Sequence, residues 1–517
     1  MMNLTPLRIA LVPLDERPVN TRYPQMLGEI AGAEVLLPPS DALGLQREPA
    51  NLDAVTQWLR AAPQTASAAI VSCDYLGYGN LISARISQDS AASVLARLGV
   101  LEEVGAAIPV HAFSLITRVA NADNCVEEPL YWEQWGTRFY KWARLTHQSE
   151  TNLLTAEERV ILKDLDAQIP ADLKADWLMR RLRNHAVNLG LIDLAARGKI
   201  ASLLLTSDDT AAHGFPSRER DWLRGWPRLI GPALSTRLHM YPGADEVGSA
   251  LAAQLINAHH GRKPRVWVDY AIAGDEEIVA PYEDRPVRET VLGQIAACGC
   301  VLAEAPDTCD FVLGVVTPSP RRTDYRLEYA DEDQHIRTTP YLSFIARLAA
   351  LQSAGIPVAL GDVAYPNGGD PLFSDLLLAE GSTLHPSALC AYGAWNTAGN
   401  TLGVVVAQAV CALYIGENPE RAAAQTRFLA HRFLEDWGYQ TVARRAARDV
   451  IEARHGRRDP DPDSPEQQLE TRSVIEAHLT QLLLRLQNAG VGVGLTLVRG
   501  STRLPWRRTF EVDFDLK

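Results

Sequence analysis

Residues 203–214 read Leu-Leu-Leu-Thr-Ser-Asp-Asp-Thr-Ala-Ala-His-Gly, and the prediction of the fold starts from them. A short run of apolar residues is typical of a strand that is buried on both faces of a parallel sheet. Two adjacent carboxylates, Asp208 and Asp209, follow this run directly. Because ligands of open α/β sheets bind at the carboxyl ends of the strands, the stretch predicts an active-site edge. Capping of the next helix by an aspartate is the structural alternative.

Similar units of an apolar run and a polar loop occur along the whole chain. The predicted strands are residues 8–14, 34–37, 68–73, 108–115 and 236–240 in the first half, and 265–271, 300–303, 311–316, 357–360 and 388–391 in the second. Repeated β–α units predict an α/β fold with a parallel sheet, either barrel-like or doubly wound. We expect a second, smaller α/β domain and a helical C-terminal region besides.

The chain has 517 residues, which is too long for a single hydrophobic core. We expect an N-terminal, barrel-like α/β domain over residues 1–260, with a helical insertion at 127–197 in which aromatic residues recur at helical spacing. A second α/β domain is expected over residues 261–405. Residues 406–517 are expected to form a helical region that ends in a β-hairpin, and its segment 417–457, rich in Ala, Arg and Glu, predicts exposed helices.

Composition limits the classes of partner. The net charge of −13 disfavours nucleic acids and anionic membranes, which bind concentrated Lys and Arg. No apolar run approaches the roughly 20 residues of a membrane span, and we recognise no export signal at the N-terminus. Seven cysteines, an odd number, suit a reducing compartment, and Cys298-Gly-Cys300 matches no common zinc spacing. The sequence therefore predicts a cytoplasmic protein without a metal or other cofactor; homo-oligomerisation is left open.

The polar residues that follow the predicted strands are mainly carboxylates and amides, with some phenols and a tryptophan. Such side chains bind the hydroxyl groups and ring faces of neutral sugars, and paired carboxylates cleave glycosidic bonds. The candidate substrate-binding residues are Asp15, Glu16, Arg17, Asp74, Tyr78, Asn80, Asp245, Glu246, Asp362, Asn367, Asp370, Trp395, Asn396 and Asn400. Asp208 and Asp209 are the candidate catalytic residues.

Six loop motifs occur in a fixed order between residues 8 and 510: VPLDERPVN, CDYLGYGNLISAR, TSDDTAAHGFPSRE, YPGADEVG, DVAYPNGGD and AYGAWNTAGNTLG. Together they resemble the bacterial domain-of-unknown-function family four-one-two-seven (DUF4127), whose name implies no chemistry. The strand and Asp-Asp turn alone are similar to those of substrate-assisted β-N-acetylhexosaminidases. This second, local resemblance implies that Asp208 polarises the acetamido group of the substrate and that Asp209 is the general acid.

The predicted function is hydrolysis of a glycoside of a neutral or N-acetylated sugar. One alternative is a metal-dependent hydrolase or phosphoryl-transfer enzyme in which Asp15, Asp208 and Asp209 hold Mg²⁺. A non-catalytic sugar-binding protein is another. A dinucleotide-binding fold is disfavoured because no GxGxxG motif follows the first strand. The prediction of a site requires that Asp15, Asp74 and Asp208 lie at the same edge of the sheet.

Overall fold

The computed structural model of the protein describes residues 6–325 and 330–517. The chain forms two compact units, which are described separately below. Unit 1 consists of the described part of Met1–Glu16 together with Glu34–Leu251 and Tyr282–Asp284. Unit 2 consists of Arg17–Ala33, Ala252–Pro281 and the described part of Arg285–Lys517.

Unit 1 contains a six-stranded parallel sheet with the order β2-β1-β3-β4-β5-β6. Its strands are β1 (Arg8–Val12), β2 (Glu34–Leu36), β3 (Ala68–Ser72), β4 (Val110–Ile116), β5 (Ser202–Ser207) and β6 (Leu238–Pro242). Every residue of β3 and β5 is buried, as their apolar sequences predict. The strand order reverses at β1 and the sheet is open. Of the two arrangements that the sequence allowed, barrel-like and doubly wound, the structure has the doubly wound one.

The helices of the first half of the chain connect these strands. The first helix, α1 (Arg22–Ala31), belongs to unit 2. Unit 1 contains α2 (Leu52–Ala61), α3 (Cys73–Tyr78), α4 (Leu81–Ile86), α5 (Ala91–Leu98), α6 (Val100–Gly105), α7 (Trp132–Glu150), α8 (Ala156–Gln168), α9 (Ala171–Ala196), α10 (Phe215–Ile230) and α11 (Pro232–Ser235). The next helix, α12 (Val247–His259), begins in unit 1 and ends in unit 2.

The segment predicted as a helical insertion contains α7, α8 and α9. Helix α9 packs Val187, Leu191 and Ala195 into the core of the sheet, because these residues recur at four-residue spacing on one helix face. Helices α7 and α8 contribute to a separate aromatic cluster, in which Trp132 stacks on Phe139 with ring centroids 5.0 Å apart. The aromatic residues of this segment therefore form a core of their own.

Unit 2 contains a five-stranded parallel sheet with the order β11-β10-β9-β7-β8. Its strands are β7 (Arg265–Tyr270), β8 (Val301–Leu302), β9 (Phe311–Val316), β10 (Val358–Asp362) and β11 (Ala391–Gly393). Counted along unit 2, the order from one edge is 2-1-3-4-5, which is also the order of the first five strands of unit 1. The prediction of a second, smaller parallel sheet is confirmed.

The remaining helices belong to unit 2. They are α13 (Val287–Ala297), α14 (Ala330–Ser353), α15 (Pro371–Leu377), α16 (Ala398–Ala412), α17 (Pro419–Arg432), α18 (Arg444–His455) and α19 (Pro465–Asn488), with a π-helical segment, Phe433–Ala443, between α17 and α18. The tail pairs through two isolated antiparallel bridges, Leu497 with Leu516 and Arg503 with Asp513, where a hairpin was expected. Among the described residues, no helix is both long enough and apolar enough to cross a membrane.

The prediction of exposed helices over residues 417–457 is wrong for the middle of that segment. Phe428, Phe433 and Trp437 are buried there, and so is the charged side chain of Arg432. Arg432 forms ion pairs with Glu435 and with Asp436, one turn further along the chain. Compensated charge, together with aromatic side chains, allows a charged helix to lie inside the protein.

Candidate functional site

The carboxyl edge of the unit 1 sheet gathers the acidic residues that the sequence placed after strands. Asp15 follows β1, Asp74 follows β3 and Asp208 follows β5, and all strands of the sheet are parallel. These residues therefore lie at the same edge, as the prediction requires. The Asp-Asp pair does not cap the following helix, because α10 begins at Phe215 after Gly214.

Arg85, on α4, is a buried cation at this edge. Its Nη2 donates a 2.6 Å hydrogen bond to Oδ2 of Asp208, and its Nη1 donates a 2.9 Å bond to Oε2 of Glu127. Glu128 lies 3.6 Å from the same Nη1 atom. Only 3% of the Arg85 side chain is exposed, so this guanidinium balances carboxylates that have little contact with water.

Arg118, which follows β4, binds the same acidic loop from the other side. Its Nη1 donates to Oδ2 of Asp209 at 2.8 Å and its Nη2 to Oε2 of Glu127 at 2.9 Å. Its Nε donates to Oε1 of Glu128 at 3.1 Å. Glu127 is thus shared between two arginines. We call the six residues the carboxylate cluster: Arg85, Arg118, Glu127, Glu128, Asp208 and Asp209.

The carboxylate cluster has four carboxyl groups and only two guanidinium groups. Burial raises the pKa of Glu128, and burial together with the neighbouring charge of Asp208 raises the pKa of Asp209. Asp209 nevertheless keeps 29% of its side chain exposed, the largest fraction in the cluster. Its backbone has φ = +36°, an unusual conformation for a non-glycine residue. Such strain is concentrated at functional sites, and here it presents a carboxyl group with a raised pKa at the surface of the cluster.

Asp74 is a further acid beside the cluster. Its Oδ2 accepts a 2.8 Å hydrogen bond from the backbone N–H of Leu115 in β4. Burial raises the pKa of Asp74 to about 7, and the charge of Asp208 acts in the same direction. Asp74 therefore binds a proton at mildly acidic pH inside the folded protein, where an exposed aspartate would be ionised.

The raised pKa of Asp74 gives a testable pH dependence of stability. Between pH 5 and 7 the folded state holds a proton on Asp74 that the unfolded state, with its ordinary aspartate pKa, has already released. The Asp74 contribution to the free energy of unfolding should therefore decrease as pH rises, by about 2 kcal/mol over these two units. In Asp74→Asn, which keeps an acceptor for Leu115, this contribution should be absent. Urea unfolding of both proteins at pH 5 and 7 measures the difference; equal pH dependence would contradict it.

Two predicted substrate-binding residues of unit 1 hold the loop around Gln46 instead. Glu16 accepts a 2.7 Å hydrogen bond from the backbone N–H of Gln46. Asn80 caps α4 through Ser83 and donates to the carbonyl oxygens of Gln46 and Glu48, at 2.9 and 3.1 Å. Since Asn80 is fully buried, we assign it to positioning this loop rather than to substrate binding.

The same loop continues to the carboxylate cluster. Arg47 donates to the carbonyl oxygens of Cys125 and Glu128, at 2.6 and 2.9 Å, and so fixes the backbone of the acidic segment. Tyr78 is also occupied within the protein: its hydroxyl donates to Asn184 at 2.9 Å, and the Arg183 guanidinium lies 4.7 Å from its ring centroid. Tyr78 therefore joins α3 to α9.

Asp245 and Glu246 follow β6 at the same edge and are buried. An oxygen of Glu246 accepts a 2.8 Å hydrogen bond from the backbone N–H of Ala244 and closes the turn before α12. An acidic residue is favourable at this position because the N-terminus of a helix carries partial positive charge.

The other predicted site residues lie in unit 2. Arg17 stacks over Trp506 at 4.4 Å and lies 3.6 Å from Glu511. At the end of β10, Asp362 accepts hydrogen bonds from the backbone N–H groups of Asp370 and Ala364, at 2.7 and 3.1 Å. Burial, and then the charge of Asp370, raises the pKa of Asp362 to about 7.

Asp370 caps α15 and accepts a 2.6 Å hydrogen bond from the hydroxyl of Tyr341. Asn367 and Asn396 both have left-handed backbones, at φ = 60° and 69°, and the N–H of Asn367 donates to the carbonyl of Asn396 at 3.1 Å. Trp395 and Asn400 are buried beside the start of α16. Arg17 contacts the C-terminal tail, and the other predicted residues form two groups, each at the carboxyl edge of its own sheet.

A profile of the family described as "Protein of unknown function (DUF4127)" matches residues 9–515, nearly the whole chain. The chain belongs to this family. The match confirms the resemblance that the six loop motifs indicated. No curated protein and no solved structure matches the DUF4127 chain. The similarity of its Asp-Asp turn to β-N-acetylhexosaminidases remains a hypothesis about Asp208 and Asp209.

Sequence reasoning did not find the cations of this DUF4127 site. Arg85 lies within the motif CDYLGYGNLISAR, but 123 positions separate it from Asp208, and nothing in the sequence indicates that they pair. Arg118 and the acids Glu127 and Glu128 follow β4, and their position after a strand was the only available signal.

The donor set of the DUF4127 site does not fit the Mg²⁺ alternative. Asp208 and Asp209 are each hydrogen-bonded to an arginine, so a cation would have to compete with a guanidinium at both. Within residues 6–325 and 330–517, no group of three or more His, Cys, Asp or Glu side chains is arranged to hold a metal ion.

Proposed function

We propose that this DUF4127 protein is a glycoside hydrolase that acts on a neutral or N-acetylated sugar at the carboxyl edge of the unit 1 sheet. The observation that carries the proposal is the contrast between two neighbouring carboxyl groups. Asp208 is ion-paired with the buried Arg85 and is 9% exposed, whereas Asp209 is ion-paired with the partly exposed Arg118, is 29% exposed and has a raised pKa. Enzymes place two neighbouring carboxyl groups in different environments so that one keeps its proton and acts as an acid while the other stays charged.

In the proposed reaction Asp209 transfers its proton to the glycosidic oxygen while the bond from that oxygen to the anomeric carbon breaks. The acetamido oxygen of the substrate forms the new bond to the anomeric carbon, and Asp208 stabilises the positive charge that develops on the acetamido group. Water then attacks the anomeric carbon, the bond between that carbon and the acetamido oxygen breaks, and a proton of the water returns to Asp209. General acid–base catalysis of this kind contributes about 10²- to 10⁴-fold in rate.

Two further properties fit an enzyme of the cytoplasm. All seven cysteines are free thiols, as expected in a reducing compartment. The net charge of −13 disfavours nucleic acids as partners and is compatible with a neutral sugar substrate.

A panel of chromogenic glycosides tests the proposal, with N-acetylglucosaminide and N-acetylgalactosaminide included. We expect release from an N-acetylhexosaminide that does not change on addition of EDTA, is lost in Asp208→Asn and is lowered in Asp209→Asn, in which a phenolate can still leave without protonation. Activity that disappears with EDTA would favour the metal-dependent alternative. Sugar binding by calorimetry without any release would favour the binding-protein alternative.

A further inference from the structure

A cleft of about 680 Å³ lies within unit 2, between the loop 366–371 and the helical segment that leads from the π-helical stretch into α18. Five arginines line it: Arg444, Arg445, Arg448, Arg458 and Arg485. The other ionisable residues in the lining of the cleft are three aspartates and Tyr325. Among the lining residues the arginines outnumber the aspartates by two, although the whole chain has a net charge of −13. Asp459 and Glu452, which do not line the cleft, pair with Arg448 at 3.1 Å and with Arg458 at 3.3 Å.

Two of the three aspartates of the cleft, Asp375 and Asp449, are paired with its outer arginines. Asp375 accepts a 2.6 Å hydrogen bond from Arg485. Asp449 is shared between Arg458, at 3.4 Å, and Arg445, at 3.9 Å. These contacts are long or exposed to solvent, so they hold the arginines only weakly.

Arg444 is the cation of the cleft without a carboxylate partner in the described part of the chain. Its one hydrogen bond, from Nη1 to Oε1 of Gln440 at 2.9 Å, goes to a neutral group. Its Nε is buried and has no hydrogen-bond acceptor. Burial, and then the neighbouring charge of Arg448, lowers the pKa of Arg444 to about 10. Arg444 is therefore a partly buried cation that has no ion pair among the described residues and keeps one buried donor unused, and such a group can bind an anion.

On the loop side of the cleft, the backbone at Gly368 packs closely against the π-helical segment. Gly368 has φ = +150°, and a Cβ atom at this position would lie 3.1 Å from Oγ1 of Thr441 and 3.2 Å from Cβ of Gln440. Oγ1 of Thr441 donates to the carbonyl of Gly369 at 2.9 Å. Only glycine allows the loop to pack this closely against the π-helical segment, and π-helical stretches occur frequently at functional sites.

We propose that this arginine cleft binds a small molecule that carries an oxyanion, either a phosphate or a carboxylate group, with Arg444 as its central ligand and Arg445 and Arg448 around it. A guanidinium presents paired N–H donors that match both groups. The cleft has the size of a small-molecule site. This inference concerns unit 2 alone and does not depend on the proposed hydrolysis in unit 1.

Isothermal titration calorimetry of the full-length protein at low ionic strength tests the inference. The probes are inorganic phosphate, pyrophosphate and citrate, which separate a phosphate site from a carboxylate site. We expect saturable binding of at least one probe, weakened at least about tenfold by Arg444→Gln, because a hydrogen bond to a charged group contributes this much. Arg454→Gln is the matched control: Arg454 lies on the same helix, is exposed and does not line the cleft.

Arg445 and Arg458 are more than half exposed, so the double variant Arg445→Gln/Arg458→Gln should fold normally. It tests the cleft even if Arg444→Gln proves unstable by circular dichroism, and we expect a several-fold loss of affinity. Absence of binding of all three probes to the wild type would overturn the proposal. So would equal affinities in the cleft variants and in Arg454→Gln, or tighter binding of single-stranded DNA than of every small anion.

Discussion

Asp209→Asn is expected to lower kcat for a methyl N-acetylhexosaminide by about 10²- to 10⁴-fold, the range that a general acid contributes. An alkoxide is a poor leaving group and needs the proton of Asp209. A dinitrophenyl glycoside releases a stable phenolate without protonation, so its kcat/KM, which reports the steps up to that release, should change far less in the same variant than kcat/KM of the methyl glycoside. A larger loss of rate for the poor leaving group than for the good one is expected only if Asp209 donates a proton to the leaving group.

The controls for this prediction separate acid catalysis from folding. Asp193→Asn makes the same chemical change on an exposed face of α9 and should leave both rates unchanged. Circular dichroism of Asp209→Asn should match that of the wild type. Because the pKa of Asp209 is raised, the wild-type rate should fall as pH rises through that pKa, and this fall should be missing in Asp209→Asn. Equal losses with both leaving groups would assign Asp209 to substrate positioning.

The fold was predictable because parallel strands leave a strong local signal. Residues 203–205 are a short apolar run and residues 311–316 one of strand length, and both lie within strands that are entirely buried. The placement of Asp74 and Asp208 at one edge follows from the topology alone, since all strands are parallel and each acid comes directly after one.

The partners of these acids were not predictable from local sequence. Arg85 reaches Asp208 because α4 and the loop after β5 meet in the folded unit, a contact between residues that are 123 positions apart. Arg432 is a second case in which a pairing that the sequence does not show decides the structure. Its segment is rich in charge and was expected to be exposed, but Glu435 and Asp436 balance the charge of Arg432 and it is buried. Sequence composition records the charge of a segment, whereas its exposure depends on pairing in three dimensions.

Arg85→Met should destabilise the unit 1 sheet by about 3–5 kcal/mol, the usual effect of removing one partner from a buried ion pair. Methionine has a similar length but no charge, so Arg118, which is 20% exposed, would be the one cation left in the carboxylate cluster. Hydrogen–deuterium exchange of peptides that cover β4 and β5 measures the opening free energy of this sheet rather than that of the whole chain.

The loss of stability in Arg85→Met should also increase as pH rises. Without the guanidinium the buried carboxyls bind protons more readily in the folded state than in the unfolded state, so stability decreases as pH rises. The destabilisation should therefore be larger at pH 8 than at pH 5. Arg8→Met is the control, since it removes the exposed pair with Glu34 and should cost less than about 1 kcal/mol. An effect of Arg85→Met as small as that of Arg8→Met would mean that Arg118 alone compensates the four carboxyl groups.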